Sequence, residues 1–300
     1  MLRKNSTAVV IVTYNRLELL KSCITAVKNQ TLKPATILII NNSSTDGTTE
    51  WLTEQKDITY ITQPNDGGAA GFYTGIKTAF ESGNEWIWCM DDDGRPAINA
   101  LELLINHSNR NPCVINCLVV SDNNDDDIVF KTGKYTRRSE IKEEIIEGVA
   151  NFFNGTLFHY DVISKVGLPI KELIIWGDEA EYFNRIKYRY AFPLFTVANS
   201  LHYHPKQSGA FYKKEWLIEK DWKPFFYIRN KIYYYQSKYS SKARSTASYF
   251  IFLSLFAATI IFYQKTSKLK KLNLLWQAGK AGFGKDLVYT ISDVKNKFCN

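Results

Sequence analysis

The first ninety-three residues alternate between short apolar runs and amphipathic stretches, and each apolar run stops at a polar cluster. Residues 8–13 have the length and content of a buried parallel strand. Leu17, Leu20, Ile24 and Val27 follow at helical spacing. Residues 36–40 form a second run ending at Asn41-Asn42, and residues 48–55 read as a helix after the turn Asp46-Gly47. Residues 58–62 are a third strand. Residues 67–82 open glycine-rich and continue as a helix. Residues 86–90 are a fourth strand that stops at Asp91-Asp92-Asp93. This alternation predicts an α/β domain with a mostly parallel central sheet flanked by helices. Such sheets bind ligands at the carboxyl ends of their strands, where each of these polar clusters lies.

Beyond Leu101 the pattern is less regular. Residues 121–127 are a polar acidic loop, 152–158 a strand, 161–166 a short helix, 179–189 a helix and 195–204 an extended segment. Charge is uneven: residues 201–300 carry 18 Lys/Arg against 5 Asp/Glu, a net of +13, whereas the first 200 carry a net of −5. The basic third suits an anionic surface, either lipid or nucleic acid. It surrounds residues 247–263, a 17-residue stretch without formal charge. As a helix that stretch is about 25 Å long at ~1.5 Å per residue, short of a hydrocarbon core of ~30 Å. Lys242 and Arg244 precede it; Lys265, Lys268, Lys270 and Lys271 follow. A helix lying on a membrane surface fits better than a span, with burial against the α/β domain as the alternative. The apolar run near the N-terminus is too short for a signal peptide. The five cysteines form no C-x-x-C pair, and Cys113 and Cys117 have no nearby histidine, so reduced, mostly buried thiols of a cytoplasmic protein are expected.

Five clusters can carry chemistry. Asp91-Asp92-Asp93 concentrates negative charge after the strand Trp86-Ile87-Trp88; Asp91 and Asp93, two apart, can hold a hard divalent ion that steadies a diphosphate. A solvated acidic turn is the plain alternative. The turn from Asn41 to Thr48 suits a nucleoside, though Thr45 or Asp46 can equally cap a helix. Asn65-Asp66-Gly67-Gly68-Ala69-Ala70-Gly71 lets backbone approach a phosphate at a helix N-terminus. It follows the third strand and lacks the G-x-G-x-x-G order, which argues against a dinucleotide fold. Trp176-Gly177-Asp178-Glu179-Ala180-Glu181 offers a carboxylate base in aromatic surroundings, or simply an acidic helix start. His202 and His204 share a strand face and can complete a metal site, or serve only in packing.

Taken together and in this order, Thr13-Tyr14-Asn15-Arg16, the N-x-S-x-D turn at Asn42–Asp46, Asn65–Gly71, Asp91–Asp93 and Asp178–Glu181 resemble the family 2 glycosyltransferases. The similarity covers about residues 7–235 and is closest to the galactofuranosyltransferase-like and rhamnosyltransferase-like bacterial branches. It implies a GT-A nucleotide-sugar-binding fold over 1–235, followed by a helical, basic C-terminal region over 236–300. It also implies roles. Thr13, Asn15, Arg16, Asn42 and Asp46 would line the nucleoside pocket; Asn65, Gly68, Gly71 and Asp92 would lie near the donor. Asp91 and Asp93 would hold Mn²⁺ or Mg²⁺ with His204, or with His202. Glu179 would be the general base with Asp178 in reserve, since the family motif carries Asp where Glu179 stands. Trp176 and Glu181 would meet the acceptor.

The implied reaction is one inverting displacement. It moves a sugar from a UDP-sugar, galactofuranose first, or from a dTDP-sugar such as rhamnose, to a lipid-linked glycan of a cell-surface polysaccharide such as O-antigen. The protein is then expected to be peripheral on the cytoplasmic face of a bacterial plasma membrane, with no nucleic acid partner. A nucleotidyltransferase would want a basic triphosphate loop where Arg16 stands alone. A non-catalytic membrane assembly protein would have no need of intact Asp91–Asp93 and Asp178–Glu181 motifs.

Overall fold

The computed structural model describes residues 2–108, 111–206 and 215–299 of the chain. It divides into two compact units. One comprises residues 1–65, 70–169 and 190–207; the other comprises 66–69, 170–189 and 208–300.

The first unit is built on a sheet. Its opening half is β1 (Arg3–Thr13), α1 (Leu17–Lys28), β2 (Thr36–Asn41), α2 (Thr48–Thr53), β3 (Thr59–Thr62), α3 (Gly68–Glu81) and β4 (Asn84–Asp91). Then come β5 (Arg95–Pro96), α4 (Ala100–His107), β6 (Val114–Ser121), β7 (Asp127–Thr132), β8 (Tyr135–Arg137), β9 (Ile145–Glu147), β10 (Asn154–His159), α5 (Tyr160–Val166) and, after residues of the second unit, β11 (Leu194–His204). The order across the sheet is β3-β2-β1-β4-β10-β6-β11-β5. Strands β3, β2, β1 and β4 are parallel neighbours, as the alternation predicts. Strand β10 is antiparallel to both β4 and β6, and β6 is parallel to β11. Two reversals cancel, so β11 runs in the direction of β4 and both end on one edge. The core is the apolar faces of these strands against α1 and α4, with Val9, Ile11, Leu20, Trp88 and Leu104 wholly buried.

The sequence leaves β6 unassigned because Val114–Ser121 is buried throughout and so shows no alternation. Close packing of α3 on β1 explains two glycines. A Cβ on Gly71 would stand 2.4 Å from Val12 Cγ1, and one on Gly75 would stand 2.2 Å from Val10 Cγ1. Gly75→Val is therefore expected to destabilise folding by about 1–3 kcal/mol through overpacking. Urea denaturation measures it, with Gly68→Ala as control, since a Cβ there meets nothing within 4 Å.

The second unit is helical: α6 (Asp178–Asn184), α7 (Lys223–Lys238), α8 (Lys242–Tyr263), α9 (Lys268–Gly284) and α10 (Ile291–Val294). Phe225, Phe226, Ile228, Phe256, Ile260, Leu274 and Ala278 form its core. The apolar stretch at 247–263 belongs to a longer helix: α8 has 22 residues, about 33 Å at ~1.5 Å each, and is long and apolar enough to cross a membrane by length and composition. Tyr249, Phe256 and Ile260 are buried, whereas Phe250, Ile251, Leu255 and Phe262 are more than 60% exposed. Lys271 departs from its expected place in a surface basic rim. It is wholly buried, and its Nζ donates to Glu215 Oε1 at 2.7 Å and Gln264 Oε1 at 2.9 Å. Helical spacing puts it on the same face as the exposed Lys268, so its burial comes from the Glu215 carboxylate and Gln264 that meet it.

Candidate functional site

Parallel strands bring the ends of β1 and β4 side by side, with Val12 opposite Asp91. Thr13 and Arg16 therefore sit beside the three aspartates that follow β4. Thr13 Oγ1 donates to Asp92 Oδ2 at 2.7 Å. Arg16 Nη1 donates to Asp92 Oδ1 at 3.1 Å and to Asp93 Oδ2 at 2.9 Å. Asp92 is buried, and burial raises its pKa despite Thr13 and Arg16. Its carboxylate is thus committed to a threonine and an arginine. Asp91 is half-buried at the strand end, and its N–H donates to Phe153 O at 3.1 Å.

The end of β11 adds the sixth participant. His204 is buried, and its Nε2 lies 3.3 Å from Asp93 Oδ1, a buried oxygen with no hydrogen bond among the described residues. His204 Nδ1 is 2.8 Å from the Pro205 carbonyl oxygen. A carbonyl only accepts, so Nδ1 carries the hydrogen. Nε2 must then hold a second proton or a cation, because a bare lone pair facing a carboxylate oxygen is repelled. Burial would lower the His204 pKa, but Asp93 outweighs it and the net shift is upward. Burial would likewise raise Asp93, and His204 with Arg16 brings it below the usual carboxylate value.

The donor set fits a divalent ion. A metal-bound histidine typically donates its other N–H to a carbonyl, as His204 does; carboxylate oxygen suits Mg²⁺ or Mn²⁺, and imidazole suits transition-metal ions. Among the described residues, no three His, Cys, Asp or Glu side chains form a metal cage. An ion at Asp93 and His204 would take further ligands from phosphate oxygens and water, which is common for such ions at nucleotide sites.

His202 lies on the same strand face but deeper. A Cβ on Gly94 would fall 2.0 Å from His202 Nε2, and one on Gly155 would fall 3.1 Å from Nδ1. Burial pushes its pKa down to about 3, so it is neutral, and among the described residues neither ring nitrogen has a hydrogen-bond partner. The two histidines differ in what covers the strand: glycine backbone over His202, Asp93 over His204.

The nucleoside-pocket candidates form a second cluster on the same edge. Asn15, at φ 53°, accepts the Thr45 N–H at 2.7 Å through Oδ1, and its own N–H donates to Ser44 Oγ at 2.9 Å. Asp46 accepts the Leu17 N–H at 2.9 Å and the Thr48 hydroxyl at 2.6 Å, which ties together the starts of α1 and α2. Its pKa is lowered, since these donors outweigh burial. Asn42 is buried, and its Oδ1 accepts from Gln63 Nε2 at 2.9 Å. Asn65 is half-buried beyond β3. All five cysteines are unbridged, as expected; burial pushes the Cys113 and Cys117 thiols up to about 12.

The acidic motif belongs to the second unit. Asp178 is buried, Glu179 is half-buried, and Glu179 Oε2 accepts the Gly177 N–H at 3.3 Å. Trp176 is half-buried at φ 56°, its ring edge-on to Tyr227 with centroids 6.3 Å apart. Glu181 is buried, and both its oxygens are held by Arg185 at 2.9 and 3.0 Å. Burial raises the Glu181 pKa against that partner. The four-residue spacing of Glu181 and Arg185 is the signal for this pair. Asn230, which contacts three backbone carbonyls before the motif, has no sequence signal at all.

A profile described as "Glycosyl transferase family 2" matches residues 8–163. The chain is 32% identical over 217 residues to galactofuranosyltransferase GlfT1 of Mycolicibacterium smegmatis, covering 67% of this chain and 72% of that protein. It is 29% identical over 220 residues to GlfT1 of Mycobacterium tuberculosis, covering 69% and 72%. Among solved structures it is similar to S. aureus TarS 1–349 in complex with UDP, with a TM-score of 0.58 at 12% identity over 97% of this chain and 90% of that one. It is also similar to GalNAc-T7 with UDP, GalNAc and Mn²⁺, with a TM-score of 0.61 at 14% identity over 95% and 57%. At these identities the structural likeness speaks for the fold.

Proposed function

The chain belongs to glycosyl transferase family 2 and carries the GT-A fold, and from this we propose that it moves galactofuranose from UDP-galactofuranose to a hydroxyl of a lipid-linked cell-surface glycan. The observation that carries the reading is the meeting of Thr13, Arg16, Asp92, Asp93 and His204 at the carboxyl ends of β1, β4 and β11. It joins cation-binding and phosphate-binding chemistry at the edge where such sheets take ligands. The choice of sugar is supported by the 32% identity to a galactofuranosyltransferase.

In this reading Asp93 and His204, with Asp91 at the same strand end, would hold Mn²⁺ or Mg²⁺, which when bound would neutralise a diphosphate leaving group. Arg16 and Thr13 fix the Asp92 and Asp93 carboxylates so that they do not swing with solvent. The turn held by Asn15, Asn42 and Asp46 receives the nucleoside, and Asn65–Gly71 brings backbone close to the donor. Glu179 takes the proton of the acceptor hydroxyl as that oxygen forms its bond to the anomeric carbon. The bond from that carbon to the diphosphate breaks in the same displacement, the nucleotide leaves, and the configuration inverts. Purified protein should be offered UDP-galactofuranose, dTDP-rhamnose and other UDP-hexoses with Mn²⁺ and a panel of glycan acceptors, reading nucleotide release and product mass. Turnover with UDP-galactofuranose alone is the expected result. Turnover only with dTDP-rhamnose makes it a rhamnosyltransferase, and no turnover with any donor makes it a non-catalytic assembly protein.

The helical unit supports attachment to the anionic cytoplasmic face of a bacterial plasma membrane, where such an acceptor waits. Phe250, Ile251, Leu255 and Phe262 of α8, with Leu269 and Trp276 of α9, are exposed, and Lys265, Lys268 and Lys270 are exposed beside them. A span would draw in the helices packed along α8, including Lys231, whose Nζ lies 5.8 Å from the Phe252 ring centroid. Each such ion costs about 2.5–3.5 kcal/mol at a bilayer centre, whereas lysines at an anionic surface each contribute about 1 kcal/mol. The protein is expected to co-sediment with anionic vesicles and to be released by high salt. Lys265→Glu, Lys268→Glu and Lys270→Glu together should lower vesicle binding at least about tenfold, leaving turnover of a soluble acceptor analogue intact. Unchanged binding would remove this surface as the attachment site.

A further inference from the structure

The backbone before the acidic motif takes conformations that side chains disfavour. Ile174 has φ 67° and ψ −63°, Trp176 has φ 56°, and Gly177 has φ 130°. A β-branched residue at positive φ persists only where its surroundings hold it. Here the holding element is α7. Asn230 is buried, and its Nδ2 donates to the carbonyls of Leu173 at 2.7 Å, Ile175 at 3.0 Å and Trp176 at 3.2 Å. Its Oδ1 accepts from Arg229 Nε at 3.0 Å, and Arg229 Nη2 donates to the Glu172 carbonyl at 2.6 Å. The amide orientation is therefore unambiguous. The carbonyls need a donor and the guanidinium needs an acceptor, so only an amide satisfies both sides. Gly177 lies flat on this residue, since a Cβ there would fall 3.0 Å from Asn230 Cβ.

The same turn reaches the glycine-rich segment. Ile174 O accepts the Ala69 N–H at 3.1 Å. A Cβ on Gly67, at φ +88°, would stand 2.2 Å from that oxygen and 2.7 Å from Ile174 Cγ2. One strained residue, four before Asp178, thus touches Gly67 and Ala69 of the glycine-rich segment, within the second unit. We infer that Asn230, oriented by Arg229, is a positioning residue that sets the Ile174–Gly177 turn and so fixes the acidic motif and residues 66–69 of the glycine-rich segment in one register within the second unit. The inference rests on the reading that Glu179 is the base and that Asn65–Gly71 meets the donor.

The variants are Asn230→Asp, which turns a donor toward three carbonyls into an acceptor, and Gly67→Ala, which strains the junction from its other side. Tyr249→Phe is the control; it removes the buried hydroxyl bond to Ile228 O elsewhere on α7. Per folded molecule, Asn230→Asp and Gly67→Ala should each lower kcat roughly tenfold to 10²-fold, as displaced catalytic groups do, and each should raise the donor KM. Tyr249→Phe should change neither. Native-state hydrogen exchange reads the register without activity: Ala69 and Glu181 amides should lose protection together in Asn230→Asp. Joint loss of protection supports the register even if Glu179→Gln proves active, which would count against the base assignment alone. If Asn230→Asp does not fold, Gly67→Ala decides. A changed donor KM with kcat untouched, or Ala69 exchanging alone, overturns the inference.

Discussion

Asp93→Ala is expected to lower turnover roughly 10³-fold, the upper end of what one lost electrostatic group costs. Its carboxylate meets His204 through Oδ1 and Arg16 through Oδ2, so the substitution removes two contacts at once. His204 Nε2 is left without its partner in a buried position, and Arg16 keeps only Asp92. Metal-dependent binding of UDP should vanish with the activity, because the proposed ion would lose the carboxylate that lies against His204. Asp93→Asn separates charge from shape: it keeps the volume but lacks the negative charge a divalent ion needs. Calorimetric titration of UDP with Mn²⁺ and with EDTA measures the binding, and nucleotide release measures the rate. Near-normal turnover of the unsubstituted protein in EDTA would sink the metal assignment. Near-normal turnover of Asp93→Ala would sink the site.

Glu179→Gln should lower kcat by roughly 10²–10⁴-fold, the range for removing a general base, while the affinity for UDP stays as it was. The split follows from the proposed role, since the carboxylate acts on the acceptor hydroxyl and not on the nucleotide. Exposure favours Glu179 over its neighbour: Asp178 is 3% exposed, whereas Glu179 is half-buried with Oε2 on the Gly177 N–H. A base must reach a hydroxyl delivered from solution, and a carboxylate turned into the protein does so poorly. Asp178→Asn is then a stability variant with smaller effect on kcat per folded molecule. If Asp178→Asn is inactive and Glu179→Gln is active, the base is one residue earlier.

The sequence by itself determined the parallel half of the sheet and the strand ends at which its polar clusters lie. Apolar runs the length of strands, separated by stretches at helical spacing, admit little else, and the connection rules for parallel strands place their ends on one edge. The Asp91–Asp93 cluster could be placed at a ligand-binding strand end for that reason, and its contacts with Thr13 and Arg16 came from the structure. The longer reach of α8, by contrast, was hidden because its first turn is polar and only the capping serine at Ser241 marks the start.

What tertiary structure alone decided depends on pairings between distant segments. His202 and His204 are equivalent by strand periodicity. They become different because β10 reverses direction between β4 and β6, which brings the end of β11 to Asp93 and lays Gly94 and Gly155 over His202. Gly71 looks like a phosphate-approach glycine, yet its hydrogen atom is also what lets α3 rest on Val12. Lys271 looks like one more surface lysine until Glu215 and Gln264 enclose it. Asn230 has no pattern around it, because its three carbonyl partners lie more than fifty residues earlier. Periodicity tells which way a side chain points from its own backbone. What it points at is supplied by another part of the chain, and that other group decides whether a histidine, a lysine or an asparagine binds, pairs or holds a turn.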